Sequence, residues 1–408
     1  MNNIDEILSQ IQLELDTSNK YQINEVKHVI EAICSNDSSI DKTLQLERYF
    51  AELFSVKYAI ACNSGTSGLH AALYAAGVGP GDEVIMPALT VVMDAYAVLH
   101  LGATPVFVDV DEDTHLISIQ AIKDAISPKT KAIITVAWEG LSCDMFPIME
   151  IARANELIVI DDCARTVLGY YEGVLAGTIA DISVFSFEAR KHLSSGGEGG
   201  MIVSNNAELA ERARKFGGIG YRHLTADAGR TYLALETVQN PNYKRFDTIG
   251  LNYRMNEVSA AIGLGQLERV HEIVDRRKII GKMYEDIAAG YQWFVPQRTP
   301  ENCEHSYYTF SVDFRPAEDD PKAWKSFYKK YVDATGDGFY GVVSIPYLEP
   351  ALSGYRFGSQ ECAEVLCPVA EGLQRRVMCF KTNYRDMFEA EEKIEKLSYM
   401  LQTFEYSN

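Results

Sequence analysis

The 408-residue chain contains no apolar run close to the roughly eighteen residues that a membrane-spanning helix requires. Its first segment, MNNIDEILSQIQLELD, is acidic and helical in pattern and lacks the basic-then-apolar order of a secretory signal, so a soluble cytoplasmic protein is expected, with no membrane partner. Basic residues are also scarce: 38 Lys and Arg stand against 57 Asp and Glu, a formal net charge of −19. Affinity for nucleic-acid backbones comes from clustered Lys and Arg, so no nucleic-acid partner is expected. A locally positive pocket for a small anion remains compatible with such an acidic surface. The eight cysteines (Cys34, Cys62, Cys143, Cys163, Cys303, Cys362, Cys367 and Cys379) include no CxxC pair. That argues against a zinc site or a disulfide framework and for reduced, mostly buried thiols. No internal repeat or low-complexity segment is present either.

What is present is ample apolar material. Hydrophobic residues make up 47% and charged residues 23%, enough for one large core and a second smaller one. Short apolar runs bounded by turn residues predict strands at Tyr58–Cys62, Glu83–Met86, Pro105–Val110, Ala132–Val136, Leu157–Ile160, Ile182–Phe187 and Met201–Ser204. Helical patterns fall between most of them, at Gly68–Ala76, Asp94–Leu101, Ile119–Ile126 and Met145–Ala154. The runs are nearly continuous rather than alternating, as strands buried on both faces should be, which predicts an α/β, mostly parallel sheet between helices. From Asn256 to Ala289 the pattern is helical throughout, long enough to bend or break, with the Gly263–Gly265 pair as the expected place. Beyond it, Tyr307–Phe314, Gly338–Val343 and a closing helix over Glu389–Phe404 predict a smaller α/β unit. The expected division is 1–265 for the large domain and 266–408 for the small one, with Arg222–Arg245 as a polar loop.

Four clusters carry chemistry. Asn63-Ser64-Gly65-Thr66-Ser67-Gly68 follows a strand and opens a helix, where small residues and unpaired N–H groups suit a phosphate. A plain capped strand-to-helix turn has the same look. Asp161 and Asp162 end a strand, where residues line the ligand crevice of an open parallel sheet. An acid there could keep a pyridinium nitrogen protonated, or simply cap the next helix. Lys191 lies just past the strand ending at Ser186-Phe187, before the glycine-rich Gly196–Gly200 turn. A Schiff-base lysine at a pocket floor would fit this place, as would a solvated loop lysine. Last, Asn252-Tyr253-Arg254 precedes the long helix, with Asn256 as its N-cap, and has no local structural need.

Together with GVGPGDEVIMPALT (Gly77–Thr90), LGATPVFVDVDEDT (Leu101–Thr114) and SPKTKAII (Ser127–Ile134), these clusters resemble the DegT/DnrJ/StrS family of sugar aminotransferases that depend on pyridoxal 5'-phosphate (PLP). The resemblance runs from about Tyr21 to Arg269 and more faintly to the C-terminus. It implies the fold type I aminotransferase architecture, with a mostly parallel seven-stranded sheet and a smaller C-terminal α/β domain. It implies that Gly65, Thr66 and Ser186 hold the cofactor phosphate, that Asp162 pairs with the pyridine nitrogen and that Lys191 is the Schiff-base lysine and proton shuttle. Asn252 is implied to reach the phosphate of a neighbouring subunit in a homodimer with shared active sites. The implied partners are glutamate or glutamine as amino donor and a keto-sugar acceptor, commonly nucleotide-linked. Alternatives on the same scaffold are a sugar dehydratase, in which a histidine typically replaces the lysine, and a non-catalytic regulatory PLP-binding protein. His192, beside Lys191, bears on the first.

Several positions depart from the family pattern. Val91 stands where an aromatic side chain usually stacks on the cofactor, and Arg165 where Gln or His usually meets its ring hydroxyl. Arg165 would bring a permanent positive charge beside the phenolate. Ala137 replaces a usual His and is followed by Trp138 and Glu139. In the small domain, His305, Tyr307, Tyr308, Lys381 and Asn383 are candidate substrate contacts.

Overall fold

All seven predicted runs pair into one sheet, because each is apolar on both faces and can only be buried between layers. The computed structural model describes residues 9–12, 15, 20–34, 41–227, 233–341, 345–355, 357 and 366–404. The strands are β1 (Tyr58–Cys62), β2 (Glu83–Pro87), β3 (Thr104–Val108), β4 (Thr130–Val136), β5 (Ile158–Asp162), β6 (Ile182–Ser186) and β7 (Gly200–Ser204), in the order β1-β7-β6-β5-β4-β2-β3. β7 runs antiparallel to both its neighbours, and all other pairings are parallel. Val136, Asp162 and Val184 stand in register across β4, β5 and β6, which aligns the carboxyl ends where the site forms.

Side chains alternate between the two faces. Ile60, Cys62, Val184 and Ile202 enter one core. Ala59, Ala61, Phe185, Met201 and Val203 enter the other. Helix α1 spans Ile23–Cys34 and α2 spans Lys42–Phe54; α2 brings Leu46, Phe50 and Phe54 to the second face. Full burial of a side chain such as Phe50 or Phe185 contributes about 2–3 kcal/mol. Helices α3 (Gly65–Ala75), α4 (Val92–His100), α5 (Ile119–Ala125), α6 (Met145–Ala154) and α7 (Ala207–Gly217) connect the strands.

The expected long helix is two: α8 (Glu257–Glu268) and α9 (Val270–Ala288). The break falls at Arg269 (φ −112°, ψ 12°) and not at the glycines, which lie inside α8. Gly263 and Gly265 serve close packing instead. A Cβ on Gly265 would come within 2.7 Å of Glu25 Cγ, and one on Gly263 within 3.2 Å of Leu46 Cδ2. Buried Glu25 then accepts from Arg269 Nη2 at 2.8 Å and Gln266 Nε2 at 2.6 Å, tying α1 to the α8–α9 junction.

A second, antiparallel sheet joins β8 (Phe294–Pro296), β9 (Thr309–Phe314), β10 (Tyr340–Gly341) and β11 (Val377–Lys381) in the order β8-β9-β11-β10. Helices α10 (Pro321–Thr335), α11 (Pro368–Arg376) and α12 (Met387–Thr403) accompany it. Its core is aromatic, with Phe294, Phe310, Phe314, Phe327 and Phe380 packed together. The strand expected from Tyr307 starts at Thr309, since Tyr307 has left-handed backbone (φ 47°) and gives its N–H to His305 Nδ1 at 2.8 Å. The strand expected over Gly338–Val343 is confined to Tyr340–Gly341, with 342–344 outside the described residues. The expected loop at Arg222–Arg245 is irregular apart from one short helix, Leu235–Gln239; residues 228–232 lie outside the described set. Among the described residues no helix is long and apolar enough to cross a membrane.

Candidate active site

At the start of α3, Ser64 and Ser67 form a reciprocal cap: Ser67 N–H donates to Ser64 Oγ and Ser64 N–H to Ser67 Oγ, each at 3.1 Å. The N–H groups of Gly65 and Thr66 are left at the positive end of the helix with no partner among the described residues. Ser186, at the end of β6, closes against them. A Cβ on Gly65 would stand 3.0 Å from Ser186 Cβ and 3.3 Å from its Oγ, so any larger residue would need the strand end to give by a few tenths of an ångström. Two free N–H groups, a hydroxyl and a helix dipole form a donor set suited to a phosphate dianion.

The two acids that end β5 divide their roles. Asp161 is satisfied inside the sheet by Thr135 Oγ1 at 2.7 Å and Cys163 Sγ at 3.1 Å, and burial pushes its carboxyl up to about 6. Asp162 accepts one bond from Ala164 N–H at 2.8 Å. Burial raises its pKa, while the Ala164 N–H and the charges of Lys191 and Arg165 oppose the rise. Lys191 is partly buried, its Nζ 5.0 Å from the centroid of the Tyr308 ring. Burial first, and Arg165 second, bring its amine down to about 8, against the pull of Asp162. A lysine with a readily available lone pair thus faces an acid at the sheet's carboxyl edge. Phosphate cradle, acid and amine match the three groups of PLP: its phosphate, its ring nitrogen and its aldehyde.

A family model described as the DegT/DnrJ/EryC1/StrS aminotransferase family matches residues 18–384. The chain belongs to this family. It is similar to the GDP-perosamine synthase of Caulobacter vibrioides, 41% identical over 268 residues, which are 65% of this chain and 67% of that protein. Among solved structures, the aminotransferase from Psychrobacter cryohalolentis superposes with a TM-score of 0.82 at 28% identity, covering 94% of this chain and 98% of that one. NtdA from Bacillus subtilis, solved with bound cofactor PMP, shares the fold with a TM-score of 0.77 at 24% identity, covering 93% of this chain and 82% of its own.

In this aminotransferase three of the positions that depart from the family pattern, Trp138, Glu139 and Arg165, are physically linked. Arg165 does not stand as a lone charge. It is paired with Glu139, and its guanidinium lies 4.2 Å from the centroid of Trp138 and 5.4 Å from that of Tyr308. Glu139 is 1% exposed, has left-handed backbone (φ 53°) and also accepts from Thr309 Oγ1. The sequence reading named Glu139 and Trp138 only as departures; the structure joins them to the site through Arg165.

Asp94 was missed. It is fully buried, accepts from Thr90 Oγ1 through Oδ2, and its Oδ1 has no hydrogen-bond partner among the described residues. Burial, then the charge of Asp162, push its carboxyl well above the ordinary range. The signal was a lone acid, four residues after Thr90, in the otherwise apolar run ALTVVMDAYAVL.

Other candidates divide between the edge of the site and the core. Val91 is the N-cap of α4, with its carbonyl accepting from Asp94 N–H at 3.3 Å, and Thr66 has an exposed side chain. Asn252 is exposed beside Asn63 of its own chain and accepts from Arg254 Nε at 3.0 Å. His192 is buried with Nε2 at 3.0 Å from the Ser306 carbonyl, and burial and Arg277 hold it neutral, so it does not share the position of the Lys191 amine. His305 and Tyr307 are core residues: His305 meets Gln297, and Tyr307 donates to Glu285. Lys381 lies 3.9 Å from Glu389, over the Tyr384 ring. Tyr308 faces Lys191 and Arg165, and Asn383 lines a cavity that Lys191 also borders.

Proposed function

We propose that this aminotransferase holds PLP through Lys191 and moves an amino group from glutamate or glutamine onto a keto-sugar, most naturally a nucleotide-linked one. The observation that carries this reading is the Lys191 amine, brought down to about 8 and set against Asp162 beside the open N–H groups of α3. The sugar part rests on the relative from Caulobacter vibrioides, a GDP-perosamine synthase. Fold by itself would not supply it.

When bound, the cofactor supplies an aldehyde that accepts amino groups and a protonated ring that withdraws electrons from the carbon losing its proton. Lys191 would hold that aldehyde carbon through Nζ. Once displaced by the incoming amine, Nζ would carry the proton between substrate and cofactor carbons, a task suited to a group titrating near neutrality. Asp162 would keep the ring nitrogen protonated. Gly65 and Thr66 N–H groups with the Ser186 hydroxyl would hold the phosphate, and Asn252 of a second subunit would complete that cradle. Arg165, steadied by Glu139, would meet the ring hydroxyl, and Val91 would border the ring without stacking on it. The reading includes a homodimer, a division of the chain at about residue 265 and a cytoplasmic location. The last is supported by seven unpaired cysteines among the described residues.

Absorbance spectroscopy tests this. PLP-loaded protein is expected to be yellow, glutamate or glutamine to bleach the visible band, and a keto-sugar to restore it. Lys191→Ala is expected to lack the band. Wild-type protein whose band ignores both donors contradicts the reading.

A further inference from the structure

Tyr308 directly precedes β9, and its ring gathers positive groups around it. Nζ of Lys191 lies 5.0 Å from the ring centroid, the Arg165 guanidinium 5.4 Å and the Arg277 guanidinium 5.9 Å, with the His192 ring centroid also at 5.9 Å. The backbone of Tyr308 is held from both sides. Its N–H donates to the Glu139 carbonyl at 2.8 Å, and its carbonyl accepts from Arg277 Nη1 and Thr382 Oγ1 at 2.9 Å each. Among the described residues its hydroxyl makes no hydrogen bond, so the chain fixes where the ring stands without using the phenol.

The face of an aromatic ring is negative and attracts a cation within about 6 Å of its centroid, more strongly out of water. Lys191 and Tyr308 are both half-buried. The other groups acting on the Lys191 amine are charged: Arg165 disfavours its protonated form, as burial does, while Asp162, Glu139 and Glu188 favour it. A further carboxylate in the place of Tyr308 would hold the amine protonated well above neutrality. A ring exerts a smaller pull and stays neutral, since burial first raises the Tyr308 phenol above its ordinary range. That matters for a lysine that must leave a carbon and then work beside it. The lysine stem is flexible, and the ring gives its charged end a resting place next to the reacting atoms.

We propose that Tyr308 is a positioning residue for Lys191, whose ring, and not its hydroxyl, holds the protonated Nζ in place while the amine is free of the cofactor. The proposal rests on the reading of Lys191 given above.

Two substitutions separate the ring from the hydroxyl. Tyr308→Phe keeps the ring and is expected to capture PLP with the wild-type pH midpoint, and to be bleached by the amino donor within about twofold of the wild-type rate. Tyr308→Leu removes it. The ring favours the charged amine, so its loss is expected to lower the midpoint of capture by about half to one pH unit and to slow bleaching at saturating donor by about fivefold. Should Tyr308→Leu fail to fold, a ring-fluorinated phenylalanine in place of Tyr308 decides: fluorine weakens the negative face at nearly unchanged shape, and the midpoint is expected below that of Tyr308→Phe. A midpoint unmoved by loss or fluorination of the ring, or a loss in Tyr308→Phe as large as in Tyr308→Leu, overturns the proposal. Borohydride trapping of the same wild-type protein keeps the two readings apart. Label on Lys191 with unmoved midpoints counts against Tyr308 alone, whereas label on another lysine overturns the reading of Lys191 and the proposal with it.

Discussion

Asp94 and Lys191 are both shifted by burial, in ways that pH can read. Burial holds the Asp94 carboxyl well above its ordinary range, so above about pH 4 the folded state binds a proton there more tightly than the unfolded chain does. Stability from this position therefore falls as pH rises from about 4 towards its raised folded value. Asp94→Asn removes that loss. The variant is expected to gain on wild type by on the order of 1–2 kcal/mol at pH 8, and little at pH 4, in urea unfolding; a gain equal at both pH values contradicts it. For Lys191 the neutral amine is the nucleophile. Capture of PLP by the free protein should accelerate through about pH 8 and level off above it, followed by stopped-flow absorbance. Arg165 lowers that midpoint and Glu139 raises it, so Arg165→Gln should move it up and Glu139→Gln down, each by on the order of one pH unit. Shifts in the same direction would contradict the linked pair.

The large sheet was legible in the sequence because strands buried on both faces are continuous apolar runs ended by turn residues, and a one-residue boundary error leaves such a run intact. The small sheet was less legible. Its strands are short and antiparallel, and left-handed Tyr307 interrupts a run that reads as strand. The helix break was misplaced because glycine reads as a breaker, whereas Gly263 and Gly265 make room for Leu46 and Glu25 across large sequence separations. Asp162, Lys191, Gly65 and Ser186 stand at strand ends and a helix start, and the family resemblance singled them out there. The Glu139–Arg165 pair and Arg277 could not be found this way, since their partners come from distant segments. The α1 clamp gives a test at this scale. Glu25→Ala leaves Arg269 and Gln266 without their acceptor and is expected to cost about 3 kcal/mol in urea unfolding, with Glu25→Gln recovering part of it. A loss within about 0.5 kcal/mol would mean that α1 is not pinned there.

For the whole molecule, a formal net charge of −19 sets a negative background around the positive groups beside Lys191. If its sites are shared between subunits, inactive variants should complement. Lys191→Ala and Asn252→Asp, the second setting a carboxylate against the phosphate, are expected to be weak or inactive alone and to regain activity when refolded together, since a hybrid dimer holds one intact site. A mixture no more active than its components contradicts sharing. The account's central claim is that Nζ of Lys191 condenses with the cofactor aldehyde. Borohydride reduction of the PLP-loaded protein, followed by peptide mass analysis, tests it most directly. The account predicts a phosphopyridoxyl group on the peptide bearing Lys191; modification at another lysine, or at none, would contradict it.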